Sequence, residues 1–152
     1  MIGVLTEDQI EEVLKKNILG RIGCNDGKRT YVVPINYVYH DKFIIAHAAM
    51  GTKIEIMRKN PQVCFEVDEI INSSNWKSVI AWGEYQELTD QRGRFACMRL
   101  FADRMMHIKV NEKKLSPQVA EELISSPTLL EMKPIIFYRI VIAEKTGRFE
   151  NE

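Results

Sequence analysis

The spacing of hydrophobic and polar positions along the 152-residue chain changes several times, and the changes outline its elements. Near the start, Thr6-Glu7-Asp8-Gln9 reads as a capping box and Ile10, Val13 and Leu14 form one stripe, which predicts a helix ending near Asn17. Ile18 to Cys24 alternates loosely and runs into Asn25-Asp26-Gly27-Lys28, a hairpin signal because Gly takes positive φ without a Cβ clash. From Thr30 to Tyr39 the residues suit a half-buried strand, with Val32, Ile35, Tyr37 and Tyr39 among other β-branched and aromatic side chains. His40-Asp41-Lys42 breaks that run, and Phe43 to Ala48 is the second arm of a hairpin. Ile54, Met57 and Arg58 then fall at helical spacing, and Asn60-Pro61 stops this short helix because Pro cannot continue it.

Pro61 to Val67 reads as a strand and Asp68 to Asn75 as a polar loop. Trp76 to Leu88 alternates, with Gly83 marking a bulge or sharp bend. Thr89 to Met106 is helical, its apolar stripe formed by Phe95, Met98, Phe101 and Ala102, and Ser116-Pro117 opens a further helix through Val119, Ala120, Leu123 and Ile124. Ile135 to Ala143 is the last strand. With no repeat, linker or βαβ alternation, the pattern predicts a mainly β chain: one domain over residues 1–152, about six strands in an antiparallel barrel and helices at its margins.

Composition narrows the function classes. Lys plus Arg and Asp plus Glu both number 21, so the formal net charge is zero and no nucleic-acid partner is expected. Cys24, Cys64 and Cys97 lie far apart with no CxxC pair, which argues against a disulfide framework and for a reducing, cytoplasmic setting. No apolar run approaches the roughly 20 residues of a membrane span, and the acidic start is unlike a signal peptide, so no membrane is expected either.

Candidate chemistry concentrates between Thr30 and Val67. A strand delivers Gly51-Thr52-Lys53 to a helix start, where free N–H groups, a hydroxyl and an ammonium suit an anion such as a phosphate. Pro34 lacks the N–H a sheet ladder needs, which places its strand at an edge or bulge whose neighbouring backbone groups are free. His47 ends a strand among small residues that would admit a flat ligand. Each has a plainer reading: Lys53 as a solvated first-turn lysine, His47 as a structural histidine, and Trp76 beside Lys77 and Ser78 as a core residue capping a loop. The spacing of His40, His47 and His107 does not suit a zinc site, so no metal is expected, and no nucleophile elbow, HExxH, Walker A or GxGxxG sequence occurs.

The stretch GRIGCNDGKRTYVVPINYVYHDKFIIAHAAMGTKIEIMRKNPQVCFEV, the later WKSVIAWGEYQEL and the closing YRIVIAEKTGR resemble the pyridoxamine phosphate oxidase-like split-barrel flavoproteins. The similarity covers about residues 6–148 and is greatest to the branch containing the nitroimidazole-resistance (Nim-type) reductases. The resemblance implies a six-stranded antiparallel Greek-key split barrel with peripheral α-helices, a homodimer, and one FMN in each of two clefts at the subunit interface. It implies that Val33, Pro34, Ile35 and Asn36 lie along the isoalloxazine edge, with Ala46 and His47 on the facing strand. Thr52 and Lys53 match the phosphate-binding pair, and Lys77 and Ser78 match a strand position that contacts the flavin, from the same or the second subunit. Two departures bear on activity. Thr52 stands where many vitamin B6 oxidases have Arg, and their C-terminal Arg-Leu-x-Pro ending is replaced by Lys145-Thr146-Gly147-Arg148-Phe149, which argues against oxidation of pyridoxamine phosphate. The resemblance therefore implies an FMN-dependent oxidoreductase passing electrons to a small-molecule acceptor such as a nitroaromatic, with His47 as a candidate proton donor. The alternatives are a flavin-binding module without turnover and a haem-binding split barrel.

Overall fold

A computed structural model describes residues 1–113 and 135–152. The helix expected from Ser116 through Ile124 lies outside the described residues. Strand β1 (Ile2–Val4) precedes helix α1 (Glu7–Lys16), whose capping box forms: Gln9 N–H donates to Thr6 Oγ1 at 3.3 Å and Thr6 N–H to Gln9 Oε1 at 2.8 Å. Asn17 closes the helix by donating from Nδ2 to the Val13 carbonyl. Strands β2 (Leu19–Asn25) and β3 (Thr30–Asn36) make the expected hairpin, with Gly27 at φ +98° and Asp26 Oδ1 accepting from the Lys28 and Arg29 N–H groups.

The Pro34 run is two strands, not one. Its ladder stops at Tyr37, whose N–H donates to the Ile18 carbonyl and whose hydroxyl donates to the Leu14 carbonyl, both at 2.8 Å. Strand β4 (Val38–His40) then pairs with β5 (Phe43–Ala49) through a two-residue turn at Asp41 and Lys42, both at positive φ. Helix α2 (Thr52–Lys59) leads to β6 (Gln62–Asn72) and β7 (Asn75–Leu88). The expected loop from Asp68 to Asn75 is mostly strand: Asp68 lies across from Ser78 and Glu69 from Lys77, with only Ser73 and Ser74 between the strands. The segment looked loop-like because its side chains make charged pairs, Glu69 with Lys16 of α1 at 3.4 Å and Asp68 with Arg21 of β2 at 3.5 Å, where apolar residues would stand nearer the core.

Helix α3 (Gln91–Lys113) and the long strand β8 (Ile135–Glu150) complete the chain. The helix buries Cys97 against Ile45 and Phe137, buries Phe101 beside the His47 ring and leaves Phe95 exposed. Phe95 is therefore not in the apolar stripe; at ~100° per residue it sits about 200° round the helix from Cys97.

All strands are antiparallel in the order β3-β2-β6-β7-β8-β5-β4, with β1 added to the far end of β8. Among the described residues the strands number eight rather than six because β1 is extra and the Pro34 run divides at Tyr37. The β5-β8-β7-β6 segment has Greek-key order. The ladder between β7 and β8 shifts register at Trp82 and Gly83, as expected for a bulge. A Cβ at Gly83 would lie 2.3 Å from the Val141 carbonyl oxygen, so only glycine lets β8 cross this closely. The two ends of the sheet, β3 and β4, are separated in the chain by Tyr37 alone, so the sheet has to curl. Inside the curl one buried cluster joins α1, α2 and the inward residues, including Leu14, Ile22, Tyr37, Ile44, Phe65, Val79 and Tyr138.

Lys145, largely enclosed, pins α1 to β8 through Glu11 and through Glu7 at 3.0 Å. Tyr39 donates to Glu11 Oε1 at 3.0 Å, and Lys42 lies 3.6 Å from the same oxygen. Burial alone would raise the Glu11 carboxyl, but the hydrogen bonds from Lys145 and Tyr39 and the two ammonium charges outweigh it and hold the group below its ordinary value. Its contribution is fully present above the unfolded carboxylate value and is lost as the pH falls through the lowered folded one. Glu11→Gln should cost about 2 kcal/mol at pH 7, and the deficit should shrink toward pH 3. Urea unfolding at both pH values measures this, and an equal deficit at both would show that the charge contributes nothing.

Candidate functional site

The barrel does not close completely. Strand β4 pairs only with Phe43, Ile44 and Ile45, so Ala46 to Ala49 of β5 have no ladder partner on that side among the described residues. Among the described residues β3 pairs with β2 alone and its other edge is open, in keeping with Pro34. The two bare edges approach each other and define a split. At one end of it, three residues past β5, helix α2 begins at Thr52 behind Gly51, which offers no side-chain cap. The first N–H groups of the helix therefore remain for another acceptor, and the positive end of its dipole points the same way.

Lys53 stands on this first turn, half-buried, with no carboxylate within ion-pair distance among the described residues. Its charge bears on two neighbours. It opposes protonation of His47, and it partly offsets the rise that burial imposes on the Cys24 thiol. The rings of His47 and Phe101 meet edge to face at 4.5 Å between centroids, and Phe137 lies 5.9 Å away. The residue remains exposed while α3 and β8 enclose part of its ring. This burial, and secondly Lys53, push the imidazole below its ordinary value, so His47 is neutral at pH 7.

Alternation sorts the remaining candidates. Pro34 and Asn36 are exposed on the outward face of β3, whereas Ile35 lies in the core and Val33 is half-buried against it. Ala46, at 1 % exposure, is also a core residue, so any ligand contact there would have to be through backbone. Thr52 is exposed. The split thus gathers the edges carrying Val33 to Asn36 and Ala46 to His47, together with Thr52 and Lys53. It does not gather Lys77 and Ser78, which lie on β7 with β2 and β6 intervening, a separation of about 14 Å at the usual strand spacing. They also point to opposite faces, and the Ser78 hydroxyl donates to Glu66 Oε2 at 3.0 Å.

The sequence reading missed two features. The Tyr138 hydroxyl is enclosed and has no hydrogen-bond partner among the described residues. On the outward face, Arg21 sits between Glu66 and Asp68, charges recurring at strand period along β6 that a closer reading of alternation would have found. An open groove lined by Asp8, Glu11, Glu12, Lys15, Lys16 and Arg104 shares no residue with the split; there Arg104 donates to the Lys15 and Lys16 carbonyls and ties α3 to the end of α1. Among the described residues no group of His, Cys, Asp and Glu side chains converges on a metal position, and no helix is long and apolar enough to cross a membrane.

A split antiparallel barrel with a helix start at its opening defines the class of protein, and comparison identifies the family. The family model for pyridoxamine 5'-phosphate oxidase matches residues 6–149, and the chain belongs to that family. A crystal structure of an FAD-binding protein from Mesorhizobium loti aligns over 99% of both chains at 29% identity with a TM-score of 0.75. A candidate 5-nitroimidazole antibiotic resistance protein from Bacteroides thetaiotaomicron shares the fold at 17% identity, with 98% of this chain and 87% of that one covered and a TM-score of 0.70. An uncharacterized protein of Rhizobium meliloti is 32% identical over 92 residues, 60% of this chain and 61% of its own length.

Because Lys53 and burial act on His47 in the same direction, the imidazole should titrate below the usual histidine value of about 6.5, and Lys53→Gln should move the midpoint upward. An NMR titration of the ring nitrogens reads both. A wild-type midpoint at or above the ordinary value, or one that Lys53→Gln leaves in place, would separate Lys53 from the histidine.

Proposed function

We propose that the chain is an FMN-dependent oxidoreductase of the nitroimidazole-resistance-like branch, working as a homodimer that passes electrons from a reduced pyridine nucleotide or a redox protein to a small acceptor, a nitroaromatic among them. The observation that carries the flavin reading is the pair of strand edges, unpaired among the described residues, leading to an uncapped helix start with a lysine that has no acid partner among those residues. These residues fit the group. Backbone of the Pro34 strand and the Asn36 amide would hold the polar rim of a flat ring, and the Thr52 hydroxyl, the Lys53 ammonium and the N–H groups of α2 would hold its phosphate. Thr52 in place of a second cation leaves Lys53 as the principal charge there. The flavin itself, when bound, accepts and releases the electrons. Neutral His47 could orient an acceptor or hold a proton beside it, and α3 keeps water from one side of its ring.

The dimer reading rests on the distance between the candidate groups. Lys77 and Ser78 stand two strands away from Pro34, so a contact of both with the same flavin ring would more readily come from a second chain. The outward sheet face also leaves large apolar side chains uncovered, Val32 at 62 % and Trp82 at 40 % exposure among them. The FAD-binding relative from Mesorhizobium loti supports a flavin cofactor in general.

Purified protein should be yellow or take up FMN, be bleached by NAD(P)H and be reoxidised by a nitroimidazole. Lys53→Ala should weaken FMN affinity between tenfold and a hundredfold, as expected when one charged hydrogen bond to phosphate is lost. Fluorescence titration with FMN and with riboflavin tests the assignment. Equal losses for both flavins would remove Lys53 from the phosphate, and a protein that binds no flavin would end this reading.

A further inference from the structure

Helix α2 is fastened by side chains at one end. Near its C-terminus Arg58 forms a fork on Glu87 of β7, Nε donating to Oε1 at 2.9 Å and Nη2 to Oε2 at 3.1 Å, and the Tyr85 hydroxyl donates to the same Oε1 at 2.7 Å. Just beyond the last turn Asn60 donates from Nδ2 to the Asn25 carbonyl of β2 at 3.0 Å, and the Tyr85 N–H donates to the Pro61 carbonyl at 2.7 Å. The opposite end has no side-chain cap and begins with exposed Thr52 and half-buried Lys53.

Between the two ends, burial of Ile54, Ile56 and Met57 holds the helix on the barrel. Hydrophobic burial is non-directional and resists lifting the helix more than rolling it. At ~100° per residue, Lys53 lies on one flank of the stripe made by Met57 and Ile54, and Arg58 lies on the other. A fork that holds Arg58 on β7 therefore fixes the roll of α2, and with it the direction of Lys53 about 7.5 Å away along the axis. A roll of about 20° would carry an atom at the roughly 5–6 Å side-chain radius through about 2 Å, further than a hydrogen bond tolerates. Exposed ion pairs generally contribute little, but this one is bidentate, its Glu87 side chain is only 25 % exposed, and Tyr85 ties it to a core where the Tyr85 and Tyr138 rings pack at 5.2 Å. Among the described residues Glu87 is the one acid partner of Arg58, and Arg58 the one cation on Glu87.

Resting on the reading above that Thr52, Lys53 and the start of α2 hold a phosphate, we propose that Arg58, Glu87 and Tyr85 are positioning residues for that site: the clamp sets the roll of α2 and so the preference for a phosphorylated flavin over the unphosphorylated one. A ring held along the Pro34 edge gains nothing from the clamp, so riboflavin is indifferent to it. The sign of a charge change separates positioning from plain electrostatics. Glu87→Gln removes a negative charge near the helix, which through space alone strengthens the binding of an anion. Loosening the fork has the opposite effect, because Lys53 and the first N–H groups of the helix are no longer held on the phosphate. Arg58→Met weakens an anion on either account.

Fluorescence titration of the full chain with FMN and with riboflavin reads the ratio of their dissociation constants. Glu87→Gln and Arg58→Met should each weaken FMN about threefold to tenfold while riboflavin changes less than about twofold. The double variant should lose no more than the worse single one, since both break the same fork. Glu11→Gln, which loosens the pin between α1 and β8, should leave the ratio in place. Lys53→Ala tests the reading beneath: if it keeps the wild-type ratio, the phosphate is held elsewhere and the clamp has nothing to position. If Lys53→Ala abolishes the preference while Glu87→Gln preserves it or tightens FMN, the phosphate site stands and the clamp proposal falls. A ratio that drops as far in Glu11→Gln as in Glu87→Gln overturns the proposal as well, by showing that it follows stability rather than the direction of Lys53.

Discussion

The architecture turns on Tyr37, the one residue between the two strands at opposite ends of the sheet. Its amide is committed to Ile18 and its hydroxyl to Leu14, and its ring meets Phe65 edge to face at 4.8 Å. These contacts fix the chain where it leaves the β2 side of the barrel and joins the β5 side. Because the side chain is fully buried and both polar groups are used, the crossing cannot slide by a residue without stranding a donor in the core. Strand β4, starting just after this anchor, has three residues before the Asp41-Lys42 turn reverses the chain. The split is what remains: β5 is seven residues long and its partner on that side is three. Incomplete closure thus follows from where Tyr37 is held, and Pro34 on the opposite edge ensures that β3 does not repair it.

The electrostatics of the opening follow from the same placement. Strand β5 carries His47 outward near its end, and the tight passage through Met50 and Gly51 starts α2 close enough for Lys53 to act on that ring. A cation beside an unprotonated histidine, with the free N–H groups of a helix start, is a combination that favours an anion on one side and leaves the imidazole neutral on the other. Had Lys53 been neutralised by a nearby carboxylate, as Lys145 is by Glu11 and Glu7, neither effect would survive. The acidic residues are spent elsewhere: Glu87 on Arg58, Glu69 on Lys16, Glu66 and Asp68 on Arg21.

What was legible in the sequence was local chemistry. The capping box at Thr6 and Gln9, the Asp26-Gly27 turn, the bulge at Gly83 and the edge position of Pro34 each depend on a residue with a specific backbone property, and each is present. What was not legible depended on partners distant in the chain. The division at Tyr37 is set by Ile18 and Leu14, the strand character of Asp68 to Asn72 by Arg21, Lys16 and β7, and the exposure of Phe95 by which side of α3 meets Ile45. The site shows the same limit. Residues adjacent in sequence, such as Ile35 and Asn36 or Lys77 and Ser78, looked like one surface and in fact face opposite sides of the sheet, because strand period separates neighbours that a motif groups together.

Strand β3 links the two surfaces that lack a covering. Its free edge is one wall of the split, and its outward residues Val32, Pro34 and Asn36 form the border of the bare face. Proline at this position gives up one backbone donor, which disfavours addition of another strand edge to edge. Any body that covers Val32 and Trp82 must therefore come face on, over the sheet, and it then abuts the split along the full length of β3. A body seated there would border the opening, and the Arg21, Glu66 and Asp68 cluster lies on β2 and β6, the next two strands in from β3.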